Sequence, residues 1–258
     1  MLKLTKVRAG IYAAISIIVL LLISACSNLP DFPAASNPVH STPWPNFELL
    51  RYDIFDQTGM QQGTVDFEVN RREGEYEFRV LFLLPKEDVR DETILNVDTE
   101  TLKPLRYLRQ ARSKSEKIEI SGQYEINDKG ETILNGTVNE NGVQTKATLP
   151  VGDFAFDTES SAWLWRTIDF QQDYEVSYRS VNIQMARTQL VHLRVMGQDL
   201  LRVPAGDFLS WQLEARPGLD RQNIWYSIDH PHVLVRWDLE PRQYLLREIN
   251  TQRPSANQ

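Results

Sequence analysis

The sequence predicts a mainly β fold: a single antiparallel sheet of about a dozen strands, curved into a half-barrel or barrel-like meander, with one short helix. Three observations carry this. Apolar and polar residues alternate along most of the chain after residue 60, the pattern of half-buried strands. Turn signals rich in Asn, Asp and Gly separate these runs at hairpin spacing. No strand–helix–strand rhythm and no repeat of fixed period interrupts them. So many twisted strands in one sheet must curl or close.

The elements follow in order. In GTVDFEVNRREGEYEFRVLF, Val65, Phe67 and Val69 alternate with Asp66 and Glu68; after NRREG, Tyr76, Phe78, Val80 and Phe82 alternate in the same way, making a hairpin. TILNV and PLRYLRQAR follow, joined by DTETLKP. KIEISGQYEI turns at NDKG into TILNGTV, which turns at NENG into VQTKATL; Asn and Gly tolerate the positive φ of tight turns. The segment 157–170 breaks the rhythm. Ala162, Trp165, Ile168 and Asp169 have helical spacing, Asp157 suits an N-cap and Glu159 a positive first turn, so a helix of about three turns is expected to plug the sheet. Strands resume with YEVSYRSVNI, TQLVHLRVMG and QDLLRVPAGDFLSWQLEAR, whose PAGD is a turn. NIWYSID, the turn DHPH, VLVRWDLE and YLLREI close the domain. Leu213, Trp225, Leu234 and Trp237 are expected on its apolar face, with Gln212, Glu214, Arg236 and Asp238 on the other.

The folded domain is read as residues 47–250, with 251–258 a disordered tail. What precedes it has another character. Lys3, Lys6 and Arg8 lead into the apolar run 11–23, then Ser24, Ala25 and Cys26, the only cysteine. A basic start, a short apolar core and small residues make a secretory signal over residues 1–25. Ile23-Ser24-Ala25-Cys26 resembles the lipobox of bacterial lipoproteins. That resemblance implies cleavage before Cys26, a diacylglycerol on its thiol and acylation of the new amino terminus. The other reading is an uncut transmembrane anchor, since the uncharged run reaches from Ala9 to Pro30. Both put the rest of the chain outside the cytoplasm, in the cell envelope. Residues 27–46, with Pro30, Pro33, Pro38, Pro43 and Pro45, are read together with the lipidated Cys26 as a semi-rigid tether; an arm packed on the domain near Trp44 and Phe47 is the alternative.

Charge narrows the partners. All but three of the 28 Lys and Arg lie beyond the leader, facing 35 Asp and Glu, so the formal charge there is −10. Binding nucleic acid relies on basic residues neutralising phosphates, so nucleic acid is not expected as a partner. The membrane, through Cys26, is. A single cysteine allows no intrachain disulfide, so the domain must stand on its core.

The carboxy-terminal third carries a denser pattern: LLRVPAGDFLSWQLEA, then NIWYSIDHPHVLVRWDL, then YLLREI. The Val-Pro-Ala-Gly turn at Val203–Gly206, Trp211, the strand end Trp225–Asp229 and Pro231–Val235 resemble a bacterial extracytoplasmic family known as domain of unknown function 3108. DTETLKP also looks like a turn of that family. The resemblance spans roughly residues 50–250 and implies a curved antiparallel sheet; it brings no activity.

Chemistry is sparse. Two side chains flanking a proline in an extended turn are expected to point apart, so His230 and His232 read as a structural turn rather than a metal site. Ser227, Asp229 and His230 are adjacent, but a triad is defined by geometry. No GxSxG, HExxH, paired CxxC or phosphate-cradling loop occurs. No cofactor, metal or catalytic residue is therefore assigned, and no enzyme is expected. Trp163, Trp165, Trp211, Trp225 and Trp237 either fill the space between sheet and helix, as aromatics commonly do, or line a cavity for an acyl chain. Two functions follow: a non-catalytic binding or accessory module for an envelope protein or polymer, or a half-barrel carrier of a lipid or other hydrophobic ligand.

Overall fold

The first strand, β1 (Phe47–Asp56), is the middle of the sheet. A computed structural model describes residues 32–218 and 220–253; the leader and Cys26 lie outside the described residues. From β1 the chain runs outward through β2 (Gln61–Arg71), β3 (Glu75–Leu84), β4 (Val89–Asp98), β5 (Pro104–Arg112), β6 (Lys117–Ile126), β7 (Thr132–Glu140) and β8 (Val143–Pro150). It then crosses to the far edge as β9 (Ala155–Asp157). From there it returns through β10 (Glu175–Asn182), β11 (Arg187–Val203), β12 (Gly206–Pro217), β13 (Gln222–Ser227), β14 (Leu234–Leu239) and β15 (Arg242–Asn250). β15 pairs antiparallel with β1, giving one sheet of fifteen strands in which only β9–β10 is parallel.

This agrees with the expected architecture, and the differences have local causes. FELLRYDIFD does not alternate because β1 is buried on both faces, Glu48 and Asp53 included. β11 is one strand of 17 residues rather than two. Its register shifts between Val195 and Gly197, so a bulge stands where the sequence suggested a break. The hairpin β11–β12 then reaches across to β15, where the Ala205 N–H donates to the Leu246 carbonyl at 3.0 Å.

The plug is shorter and more irregular than three helical turns. Only Ser161–Leu164 (α1) is α-helical, between single 3-10 turns at Thr158–Ser160 and Trp165–Thr167. Asp157 caps it as expected, its Oδ1 accepting from the Glu159 N–H at 2.9 Å. Ser160, Ser161 and Thr167 each donate a hydroxyl to the carbonyl three residues back, at 2.6–2.7 Å. Such bonds compete with the α ladder and favour the tighter winding. The segment is buried all round. Trp163 stacks on Phe78 with centroids 4.4 Å apart, and Trp165 donates to the Tyr178 hydroxyl at 2.9 Å. Arg166 forms a two-pronged pair with Glu48 of β1, the second contact at 3.1 Å, and donates to the Pro231 carbonyl at 2.9 Å.

The expected tether is corrected over its later residues. Ala35 bridges Ser177 of β10, the His40 N–H donates to the Thr167 carbonyl at 3.0 Å, and Trp44 packs edge-on against Tyr76 and Phe78. Pro38, Pro43 and Trp44 are buried. Proline excludes helix and central strand but not burial, and these prolines lay an irregular arm onto the domain.

Candidate functional site

The two ends of the sheet, β8 and β9, share no ladder. Side chains close the seam between them. Tyr124 of β6 donates its hydroxyl to Asp157 of β9 at 2.6 Å. Arg109 of β5 holds Asp91 of β4 and donates to Gln184 beyond β10 at 2.6 Å. Ile183 lies over Gly122 and Gly136, where an added Cβ would come within 2.6 Å of its Cδ1. The two glycines thus leave room for the returning half of the chain.

At one end of this seam is a cleft of about 730 Å³, walled by the turn before β5, the ends of β6–β8, the β8–β9 connection and the arm. Lys103, the one lysine among the described residues that line it, is presented by the turn DTETLKP. Asp98 Oδ1 accepts from Glu100 N, Thr101 N and the Thr101 hydroxyl, at 2.7–3.1 Å. Leu102, at a φ of 55°, tucks into the core. Lys103, next in line, then points across the seam. Its Nζ donates to the Ala155 carbonyl at 3.2 Å and sits 4.3 Å above the Phe156 ring. Burial lowers its pKa, with Asp153 opposing. Among the described residues no carboxylate oxygen lies within 4.0 Å of it. His40 of the arm faces the same cleft, its Nε2 3.2 Å from the Tyr174 hydroxyl. Beneath the cleft Asp157 is 2% exposed, and burial pushes its pKa up to about 7 against the hydrogen bonds from Tyr124 and the Glu159 backbone. The cleft thus offers an ammonium with no carboxylate in contact, three carboxylates on its walls (Glu100, Glu131 and Asp153), neutral donors and acceptors, and the rings of Tyr124 and Phe154.

The five tryptophans do not line one cavity. Trp163 and Trp165 belong to the plug and are buried; Trp237 meets Trp165 edge-on at 5.6 Å and donates to Gln222. Trp211 packs against the margin of the same core. Trp225 is on the opposite face from the one expected: it pairs across the strands with Gln212 and Arg236, lies under the Arg236 guanidinium at 4.8 Å and donates to Asp199 at 2.9 Å. Ile224 and Tyr226, on either side of it, face the core; the register shift opposite them lies in β14 and lets Leu234 and Trp237 share that inner face. What remains between plug and sheet is a recess of about 140 Å³ bordered by Phe67, Phe82, Trp237 and Glu159.

The other polar constellations are structural. Ser227 accepts from the Val233 N–H and donates to the Asp229 carbonyl, both at 2.9 Å, and His232 Nδ1 bonds the Ser227 carbonyl. The seryl oxygen is thus spent on its own turn. The His230 and His232 rings do not diverge as expected; their centroids are 5.9 Å apart. Among the described residues no group of three His, Cys, Asp or Glu is placed to hold a metal ion. Ser177 and His192 are hydrogen-bonded at 3.2 Å, both buried on paired strands. Sequence reasoning missed Lys103, although the turn that presents it stood out.

Among solved structures the chain is similar to a β-barrel-like protein of domain of unknown function DUF1849 from Brucella abortus, at 12% identity and a TM-score of 0.54, covering 83% of this chain and 100% of that one. It is also matched to an inferred lipoprotein from Parabacteroides distasonis, at 11% identity, TM-score 0.29 and the same coverage. A third match, an inferred exported protein with a YmcC-like fold from Bacteroides fragilis, has 9% identity and a TM-score of 0.28, covering 84% of this chain and 100% of that one. The first supports the fold; the other two fall too low to argue from. No curated protein matches the chain. The sequence profile described as Protein of unknown function (DUF3108) matches residues 51–242, from within β1 to the start of β15, and the chain belongs to that family.

Proposed function

We propose that this protein is a lipid-anchored module of the cell envelope that binds a small ligand without converting it, and that the seam cleft is the seat. The observation that carries the reading is Lys103: a half-buried ammonium, without a carboxylate in contact, facing a cleft of about 730 Å³. That volume lies within the range of about 300–1,000 Å³ usual for small-molecule sites. The ligand presents an acceptor group to Lys103 and rests against Phe154, with donor groups toward Glu100, Glu131 and Asp153. The interior recess of about 140 Å³ is below that range, which weighs against an acyl-chain carrier.

The anchor rests on Ile23–Cys26 and the basic, apolar leader before them. Two or more acyl chains give stable attachment where one is marginal. Mass spectrometry of the mature chain is expected to find Cys26 as an acylated first residue; an unmodified Cys26 behind an intact leader refutes the anchor. For the cleft, envelope extracts are screened for components that raise the melting temperature of the full-length protein. A true ligand stabilises the wild type and not Lys103→Met. Turnover of that ligand, abolished by one side-chain change, would replace the binding module with an enzyme.

A further inference from the structure

Where the arm joins β1, three arginines from two distant parts of the chain border one groove. Arg71 ends β2, Arg72 follows it, and Arg253 lies just beyond β15; Asn46 and Thr251 add neutral polar groups. β1 brings them together by pairing with β2 on one side and β15 on the other. Arg253 Nη2 bonds Asn70 Oδ1 at 3.2 Å, across 183 positions of sequence.

The groove encloses about 600 Å³, and among the described residues no Asp or Glu lines it. Arg72, its side chain 55% exposed, has a carboxylate neighbour in Glu77 at 3.4 Å. Arg71 lies 5.9 Å over the Tyr76 ring. Among the described residues neither Arg71 nor Arg253 has a carboxylate within 4.0 Å. Elsewhere on the sheet guanidiniums are commonly neutralised: Arg79 sits between Glu68 and Glu92, and Arg51 between Asp66 and Glu248. In a domain of formal charge −10 this groove reverses the local field.

Each guanidinium presents a planar fork of N–H donors that matches paired phosphate oxygens, and such charge-assisted bonds are strong. Three cations around one groove repel one another until an anion arrives. We propose that the groove between Arg71, Arg72 and Arg253 is an anion site that takes a phosphate group. A lipid headgroup and a soluble phosphate share this chemistry.

The test uses the full-length protein in neutral detergent at low ionic strength. Inorganic phosphate is titrated calorimetrically in one arm. In the other, micelles containing phosphatidylglycerol are compared with micelles containing phosphatidylcholine. Saturable binding that weakens as salt rises is expected in at least one arm. Binding of phosphatidylglycerol alone assigns the site to lipid; binding of inorganic phosphate assigns it to soluble phosphates. Arg71→Ala with Arg253→Ala should weaken binding about tenfold or more. The denaturation midpoint should not move, because both side chains are on the surface. Lys103→Met, in the separate seam cleft, should bind phosphate like the wild type. Absence of saturable binding in both arms, or a double variant that binds like the wild type, overturns the proposal.

Discussion

The middle of the sheet and its seam are joined by different means. At the middle, β1 is hydrogen-bonded along both edges, buried on both faces and tied to the plug by the Glu48–Arg166 pair. At the seam no backbone ladder exists; Tyr124–Asp157, Arg109–Gln184 and Ile183 above two glycines do the joining. A ladder spreads its hold over many groups that tolerate side-chain change. A side-chain closure concentrates it in a few residues and leaves room for a cleft.

Breaking the middle should cost most. Both charged side chains of Glu48–Arg166 are 1% exposed. Glu48→Ala leaves a buried guanidinium unpaired and should destabilise by about 3–5 kcal/mol in chemical denaturation. Replacing both, Glu48→Leu with Arg166→Met, should recover most of that, because a buried pair is worth little against apolar packing.

Two glycine substitutions sharpen the contrast. A Cβ on Gly63, next to the β1–β2 bulge, would fall 1.9 Å from the Leu83 carbonyl oxygen, a backbone atom with little freedom. Gly63→Ala should cost about 1–3 kcal/mol or more. At the seam, Gly122→Ala meets the flexible tips of Ile183 and Leu134, at 2.6 and 3.0 Å. Its cost should be about 1 kcal/mol or less. Equal losses in denaturation would erase the distinction between the two regions.

Acid–base behaviour probes the seam more gently. Asp157 has an ordinary pKa of 3.8, raised by burial to about 7 in the fold. The native state therefore holds a proton that the unfolded chain has released between those values. This contribution to stability is fully present below pH 4 and is lost as pH rises toward 7. Asp157→Asn keeps a good N-cap and removes the titration. It should flatten the stability profile between pH 4 and 7 and raise stability at pH 7 by about 1–2 kcal/mol, if relaxation takes up the rest of the shift. A profile identical to the wild type's would rule out Asp157 as its source. The smallest effect is expected at Arg202–Asp207, an exposed pair beside the β11–β12 turn. Replacing both by alanine should leave the denaturation midpoint where it was.

How much of this could be read from the residues depended on whether the cause was local. β2 to β8 alternate, and the β2–β3, β6–β7 and β7–β8 turns carry Asn or Gly, so these strands were legible, although β4 starts at Val89, four residues before the TILNV run. β1 was not, because a strand covered on both faces loses its alternation. The three-turn helix was overdrawn because Ser160, Ser161 and Thr167 bond their own backbone. Proline content marked the arm as irregular, but Trp44 decides that it packs. Trp225 takes the face opposite Ile224 and Tyr226 by plain alternation; what spacing does not encode is the β14 register shift that lets Leu234 and Trp237 share the inner face. The arginine groove was hidden by the overall acidity, since net charge averages over surfaces that folding separates.

The placement of β1 also bears on assembly. A chain is made from its amino end, so the strand that becomes the centre emerges first and its partner β15 nearly last. Until then β1 keeps one row of amides and carbonyls open to any passing strand, the kind of edge that seeds aggregation. Whatever shelters the unfinished product has this inner edge to guard as well as the growing outer one. A truncation that removes Arg242–Asn250 would leave the inner one open for good.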